Sequence, residues 1–216
     1  MRIVMTVAVL AITAGCSLAD DWTPLFNGKD LSGWRANNDP DSFTVEDGVL
    51  RVQASGKTSA HLFYVGARKD GFEAFRDFEL EAVVKAEPNA NGGIFVHTDL
   101  RTRNAQKHLA NGYEVQLNSS AKEKRKTGSL YAVVDLNRSP VDETKWFTVR
   151  VVVRGKRITV ALDGKTVVDY TEPANVARPK ERAGRRFSAH GGAIALQAHD
   201  AGSVWYFKEI RVKRLP

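Results

Sequence analysis

Two segments of the 216-residue sequence alternate polar and apolar side chains in a way that could place acid–base groups on one surface. The segments read YEVQLN and IALQAH, and residues i and i+2 of a β-strand share a face. Their polar positions are Glu114, Gln116, Asn118, Gln197 and His199. A carboxylate and an imidazole with amide neighbours can perform acid–base chemistry on a sugar.

A third segment, residues 93–97 (GIFVH), predicts that Phe95 and His97 also share a face. The pattern leaves a simpler interpretation open, because one face of an antiparallel sheet is often solvated and polar. None of the five histidines forms an HxH or HExxH pair, and GxSxG, P-loop and dinucleotide motifs are absent from the sequence. Pattern alone therefore does not decide between a site and an ordinary outer face.

The elements that must position these groups are short and β-rich, and no stretch of 12 residues has helical periodicity. Many short strands separated by turns such as Asp47-Gly48 predict an all-β sandwich or barrel. Long polar loops at residues 101–111 and 175–189 are places where such scaffolds often carry function. The predicted strands are residues 43–45, 49–52, 78–84, 92–97, 113–118, 130–134, 147–153, 157–162, 166–170, 193–199 and 204–212.

Composition is that of a soluble globular protein, with 43% hydrophobic and 26% charged residues and a net charge of +7. Cys16 is the single cysteine, so the body has neither a disulfide nor a thiol nucleophile. Two clusters hold much of the positive charge: residues 122–126 (KEKRK) and 178–186 (RPKERAGRR). We interpret them as solvated loops, with a functional basic patch as the alternative. We expect no nucleic-acid partner.

The first 19 residues are typical of a signal peptide. A positive start is followed by an apolar run, residues 3–14, that is too short to span a bilayer as a helix. Cleavage after Ala19 is favoured, and the alternative is a lipobox (TAGC) that would attach a lipid anchor to Cys16. The sequence thus predicts an exported protein, periplasmic or an outer-membrane lipoprotein. Residues 20–216 form its single domain, without a transmembrane segment.

Several blocks, in order along nearly the whole body, carry a resemblance to a known family. The chain resembles the bacterial 3-keto-disaccharide hydrolase domain family (DUF1080). The blocks are LFNGKDLSGW (25–34), VEDGVL (45–50), NGGIFV (91–96), YEVQL (113–117), TGSLY (127–131), KWFTVRVVVRGKRITVALDGKTVVDY (145–170), GGAIALQAH (191–199) and VWYFKEIRVKRL (204–215).

The resemblance implies a two-sheet antiparallel jelly-roll sandwich of the concanavalin A-like kind. It also implies cleavage of glycosides whose glucosyl unit carries a ketone at C3. That ketone acidifies the C2 proton, so a base can form an enolate, the aglycone leaves from C1, and water adds to the double bond.

On this resemblance Glu114 and His199 take the acid–base roles, without a decision on which is the base. Gln116 and Gln197 would orient sugar hydroxyls, with Tyr131, His97 and Lys208 as weaker candidates for substrate contact. A divalent cation could serve as electrophile with Glu114 and His199 as ligands.

The sequence departs from the family pattern at His97, Asn118 and Lys208, so the resemblance does not fix the substrate. Two other functions stay open. One is a non-catalytic, lectin-like carbohydrate-binding module of the cell envelope. The other is an envelope protein that binds anionic surfaces through its basic loops.

Overall fold

The computed structural model describes residues 21–216, so the predicted leader and Cys16 lie outside the described residues. No helix in the described part of the chain is long and apolar enough to cross a membrane. Two short 3-10 helices occupy Pro40–Ser42 and Lys180–Arg182. The strands are β1 (Thr23–Pro24), β2 (Trp34–Ala36), β3 (Phe43–Glu46), β4 (Val49–Val52), β5 (Ala60–Tyr64), β6 (Phe78–Ala86), β7 (Asn91–Thr98), β8 (Tyr113–Asn118), β9 (Phe147–Arg154), β10 (Arg157–Leu162), β11 (Lys165–Thr171), β12 (Ala193–Ala198) and β13 (Trp205–Arg214).

The strands form two antiparallel sheets, which confirms the predicted sandwich. The larger sheet has eight strands in the order β11-β10-β9-β6-β13-β4-β3, with β1 paired to β13. The smaller sheet has five strands in the order β2-β5-β12-β7-β8. The two segments that carry Glu114 and Gln197 are thus β8 and β12 of the same sheet, and β7 lies between them.

The main core lies between the sheets. Strand β6 alternates strictly between buried and partly exposed residues, and its buried positions include Leu80 and Val84. Ile94, Val115 and Leu196 of the smaller sheet belong to the same buried cluster. The period-2 pattern of the sequence arises because successive side chains of a strand point to opposite faces of the sheet.

The five-stranded sheet is buried on both faces. All residues of β8 and β12 are buried, and a second apolar cluster that includes Phe63, Phe95 and Leu109 lies on the face away from the main core. Leu109 belongs to the loop of residues 101–111, and loop 175–189 brings buried Arg185 onto the same face. These loops turn a sheet face that sequence alone treats as solvent-exposed into an enclosed surface.

Residues 130–134 differ from their prediction as a strand. They form a tight turn closed by a bridge between Leu130 and Val134, with Ala132 at a positive φ of 59°. Residues just before this turn and at its start form hydrogen bonds with the edge strand β8 instead. The Gln116 N–H donates to the Ser129 carbonyl at 2.9 Å, and the Tyr131 N–H donates to the Glu114 carbonyl at 2.9 Å. This segment covers the sheet edge beside Glu114.

Candidate active site

A row of polar side chains crosses four strands on the outer face of the five-stranded sheet. The strand register aligns His61 of β5 with Gln197 of β12, Gln197 with Gly93 of β7, and Gly93 with Gln116 of β8. Glu114 lies one row further along β8, opposite Phe95. The polar face proposed from alternation therefore exists, and it is buried rather than solvated.

Glu114 is held above Gly93 by a buried ion pair. A Cβ atom at Gly93 would lie 3.1 Å from both Cγ and Oε1 of Glu114, so the carboxylate occupies the space that glycine leaves free. The Arg185 Nη2 donates to Glu114 Oε2 at 2.7 Å, and the Arg185 guanidinium lies 5.3 Å from the centre of the Phe95 ring. Burial raises the pKa of the Glu114 carboxyl, and the positive charges of Arg185 and His199 oppose that rise.

His199 follows β12 at the other end of the same face. Its Nδ1 lies 2.8 Å from Asp200 Oδ2, and its ring stacks on His108 at 5.6 Å between centroids. Asp200 fixes the tautomer and orientation of the imidazole through this contact. His199 also lines an open cleft of about 540 Å³, together with Asn91.

Glu114 and His199 share a face without being neighbours. Gln197 aligns through Gly93 with Gln116, so His199 is level with Asn118, four residues beyond Glu114. At about 3.3 Å per residue and about 4.8 Å per strand, their Cα atoms lie roughly 16 Å apart. Their charges interact across this distance, because His199 is among the groups that lower the pKa of the Glu114 carboxyl.

Buried polar atoms without partners concentrate in that row. The Gln116 amide donates to Asn91 Oδ1 at 2.8 Å, and the Gln197 amide nitrogen lies 3.4 Å from His61 Nε2. Among the described residues, 21–216, the Oε1 atoms of both glutamines and the Nδ1 of His61 have no hydrogen-bond partner. Buried polar atoms are normally paired, so each of these atoms needs a partner that the surrounding side chains do not supply.

His61 and His108 are kept neutral by their surroundings. Burial lowers the pKa of His61 to about 3, with smaller contributions from His108 and His199. Burial also lowers the pKa of His108 to about 4, and the charge of Arg103 acts in the same direction. Near neutral pH, both imidazoles can therefore donate or accept a hydrogen bond without adding charge.

The basic segment 178–186 is only partly the solvated loop that we predicted, because Lys180 and Arg186 are exposed but Arg185 is buried. Arg185 is 1% exposed and paired with Glu114. Arg178 donates to the Tyr170 hydroxyl at 2.7 Å, and Arg186 donates to the Val176 carbonyl of the same loop at 2.8 Å. Arg185 and Arg178 therefore fasten the segment to the strands, which charge density alone does not reveal.

Tyr131 belongs to the rim of this site. Its hydroxyl donates to Glu123 Oε2 at 3.1 Å, and the Arg182 guanidinium lies 5.2 Å from the centre of its ring. Burial raises the pKa of Tyr131, and the negative charges of Glu123 and Glu114 add to the rise. The structure therefore brings Tyr131 beside Glu114, whose carbonyl accepts from the Tyr131 N–H, and substrate contact at Tyr131 stays a prediction.

His97 does not share a face with Phe95, so that prediction is wrong. The register of β7 with β12 shifts near this point, and His97 has a positive φ of 53°. Its ring stacks on Phe78 of the main core and meets the edge of Phe187, while Nε2 lies 2.8 Å from the Arg76 carbonyl. The irregularity turns the imidazole away from Glu114.

Lys208 is also remote from the site. It lies on β13 of the eight-stranded sheet, where the register with β6 shifts between Phe207 and Glu209. Lys208 is exposed on the outer surface of that sheet. The structure therefore does not bring it to the face that carries Glu114.

The residues present do not fit a divalent cation between Glu114 and His199. Within residues 21–216, no group of three or more His, Cys, Asp or Glu side chains is arranged to hold a metal ion. Glu114 is already paired with Arg185, and the charges of Arg103 and Arg182 reach the same carboxylate. A further dication there would meet like charges.

Sequence reasoning missed three residues of the site. His61 carried a usable signal, because the segment AHLFY places His61 and Phe63 on the face opposite Leu62. Arg185 and His108 carried none, because both come from irregular loops whose path over the sheet has no period in the sequence.

Solved structures with this fold come from carbohydrate-related proteins. A candidate glycosyl hydrolase from Parabacteroides distasonis is 22% identical, with 90% of this chain and 94% of that chain covered and a TM-score of 0.74. The carbohydrate binding module CBM66 from Bacillus subtilis is 16% identical, with 84% and 96% covered and a TM-score of 0.52. The exoplasmic/lumenal domain of VIP36, bound to Ca²⁺ and Man3GlcNAc, is 12% identical, with 85% and 84% covered and a TM-score of 0.56.

Those likenesses establish the fold, and no curated protein matches the chain. The family is established by a different comparison. The model of the 3-keto-alpha-glucoside-1,2-lyase-like domain matches residues 21–213. This match spans every strand from β1 to β12 and nearly all of β13. The chain therefore belongs to the family of 3-keto-alpha-glucoside-1,2-lyase-like domains.

Proposed function

We propose that this protein is an exported enzyme that cleaves the glycosidic bond of 3-keto-glycosides. The observation that carries the proposal is the arrangement of the buried Glu114–Arg185 pair and His199 on one enclosed polar face. Membership of the family and the carbohydrate-related structures of the same fold support it. The apolar leader, residues 3–14, is the support for export.

Glu114 fits the role of base. Its pKa is raised by burial, which suits a carboxylate that must accept a proton from carbon. In the proposed step the carboxylate takes the C2 proton, and the C2–H electron pair forms the enolate of the C3 ketone. In this proposal the Arg185 guanidinium, which donates to Glu114 at 2.7 Å, also stabilises the negative charge that develops on the C3 oxygen.

His199 fits the role of acid at the departing oxygen. The enolate expels the C1 substituent, the C1–O electron pair goes to the aglycone oxygen, and His199 protonates that oxygen. Water then adds to C1 of the unsaturated ketone while C2 regains a proton, so the net reaction consumes one water. Asp200 holds His199 in the required orientation, and the cleft beside His199 admits water.

The lectin-like alternative predicts a different surface. Carbohydrate-binding modules present exposed aromatic platforms, since rings stack on sugar faces. Among residues 21–216, the exposed large hydrophobic side chains are Leu100 and Trp146. Trp146 directly precedes β9 of the eight-stranded sheet, away from Glu114. Unpaired amide and imidazole atoms around an ion pair favour chemistry over simple platform binding.

The test is aglycone release from a chromogenic 3-keto-glucoside by the parent, Glu114→Gln and His199→Ala, beside the unoxidised glucoside. We expect release by the parent, a loss of about 100-fold or more in each variant, and no release from the unoxidised glucoside. Activity should persist in a metal chelator. Equal rates for oxidised and unoxidised glucosides, or full activity in Glu114→Gln, would overturn the proposal.

A further inference from the structure

The two covering loops bring an excess of positive charge to the site. Loop 101–111 contributes Arg103, and loop 175–189 contributes Arg182 and Arg185. Arg182 and Arg185 both act on the pKa of Arg103, so the three guanidinium groups share one electrostatic environment. Glu114 forms the ion pair with Arg185, so three positive charges against one negative charge leave two in excess.

Arg103 and Arg182 have no acidic partner within the described residues 21–216. Arg185 and Glu114 form an ion pair with each other, and Glu123 pairs with Arg125. The Tyr131 ring under Arg182 supplies a face for the guanidinium but no acceptor for its N–H groups. Like charges at a half-buried site repel each other and destabilise the folded chain unless an opposite charge offsets them. A bound anionic ligand would supply that opposite charge.

Specific buried donors in this cluster are unpaired. Within the part of the chain that the structure describes, Arg103 Nε, Arg182 Nη1 and Arg185 Nε have no hydrogen-bond partner, and Arg185 is 1% exposed. A guanidinium can only donate, so the missing partner must be an acceptor. The planar forked geometry of arginine matches the paired oxygens of a carboxylate, sulfate or phosphate.

Space for such a group exists beside Arg103. A cavity of about 550 Å³ opens between the two loops, and Arg103, Lys180, Asn104 and Asn111 line it. Glu181 also lines this cavity, where its charge opposes that of Lys180 and leaves Arg103 as the unopposed cation. The cavity thus offers cationic and amide donors next to the enclosed polar face.

We propose that the substrate carries an anionic substituent, a carboxylate, sulfate or phosphate, that Arg103 and Arg182 bind while Glu114 and His199 act on the 3-keto sugar. This inference rests on the proposed function for the identity of the sugar. The recognition of the anion does not depend on turnover, because it concerns two arginines outside the Glu114–Arg185 pair.

A matched pair of substrates isolates the charge: the 3-keto-glucosides of 4-hydroxybenzoic acid and of its methyl ester. They differ by one charge at a fixed position, and the unoxidised forms serve as binding probes without turnover. Phenyl glucuronide against phenyl glucoside tests an anionic group on the sugar rather than the aglycone. Inorganic phosphate tests for a site that holds a free anion only.

We expect the acid probe, or the glucuronide, to bind at least tenfold more tightly than its neutral partner in isothermal titration calorimetry. Arg103→Met and Arg182→Met should each remove most of that preference and leave binding of the neutral probe unchanged. Arg154→Met, an exposed arginine at the end of β9, is the control and should keep the preference. The preference should also shrink as salt is raised.

Equal affinity for charged and neutral probes on both the aglycone and the sugar overturns the inference, even if both 3-keto substrates are cleaved. An equal fall of kcat/KM on the charged and the neutral 3-keto substrates in Arg103→Met and Arg182→Met also overturns it, because the arginines would then act only through Glu114 or the enolate. A charge preference without any cleavage would support the inference and defeat the proposed function. Binding of phosphate with no sugar-linked preference would contradict the substrate assignment.

Discussion

Replacing Arg185 by Met tests the buried ion pair that holds the site together. Met keeps an apolar contact with Phe95 but leaves the Glu114 carboxylate buried without its partner. Removing one member of a buried pair typically costs about 3–5 kcal/mol. For a domain of this size, 1 kcal/mol shifts the melting temperature by roughly 2–4 °C, so the expected loss is about 6–20 °C.

The double variant Arg185→Met/Glu114→Gln makes this prediction specific. It removes both charges, so no carboxylate is left uncompensated, and we expect it to recover most of the lost melting temperature. Thermal unfolding followed by circular dichroism measures the parent, Arg185→Met, Glu114→Gln and the double variant. Arg157→Met is the control, because Arg157 and Asp169 form an exposed pair, and it should melt close to the parent.

Two results would refute this reasoning. One is an Arg185→Met protein with the melting temperature of the parent, which would mean that the Glu114 carboxylate does not need the charge of Arg185 in its buried position. The other is strict additivity in the double variant, which would show that the two groups do not stabilise each other. Aglycone release should be lost in all the variants at position 114 or 185 and kept in Arg157→Met.

Further predictions concern the groups around this pair. Gly93→Ala adds a Cβ atom 3.1 Å from Glu114 Cγ and Oε1, so the carboxylate must shift. We expect kcat to fall about tenfold with little change in melting temperature, and both quantities are measured on one preparation. Asp200→Asn removes the negative charge beside His199 Nδ1 and offers it an amide in place of the carboxylate. We expect kcat/KM to fall roughly tenfold and its pH profile to shift, whereas an unchanged profile would deny Asp200 a positioning role. The pKa of His61 is about 3 in the folded chain and about 6.5 in the unfolded chain. As pH falls below about 6.5, the unfolded chain binds a proton at His61 and the folded chain does not, so the free energy of unfolding falls. At pH 5 the free energy of unfolding is lower by about 2 kcal/mol for this reason, which corresponds to a fall of about 4–8 °C in melting temperature. His61→Gln should remove this part of the pH dependence. A parent protein with the same melting temperature at pH 5 and pH 7 would contradict the prediction.

The sequence predicts the sheets well because strand periodicity is a local property. The alternation around Glu114 and Gln197 correctly placed both on one face opposite the core, and the same rule applied to His61 would have found it. The rule failed at His97, where a register shift and a positive φ reverse the face.

The covering loops could not be predicted in the same way. Whether Arg185 reaches Glu114 depends on a contact across 71 positions of sequence, and no repeat or spacing encodes it. The basic segment therefore resembles a solvated loop in sequence, although Arg185 within it is buried and paired with Glu114. Long-range pairing is the part of the fold where local patterns carry the least information.

The central claim is that Glu114 removes the C2 proton of a 3-keto-glycoside, and one isotope measurement tests it most directly. The reaction is run in D₂O to low conversion, and the released 3-keto sugar is analysed by mass spectrometry, beside product incubated in D₂O without enzyme. The account predicts deuterium at C2 of the enzymatic product, except where the buried Glu114 carboxyl returns the proton that it removed. In that case substrate deuterated at C2 is cleaved more slowly than protiated substrate, and Glu114→Gln gives no product in either experiment. Product without solvent deuterium at C2, together with equal cleavage rates for deuterated and protiated substrate, would contradict the account, because the C2–H bond would then not have broken.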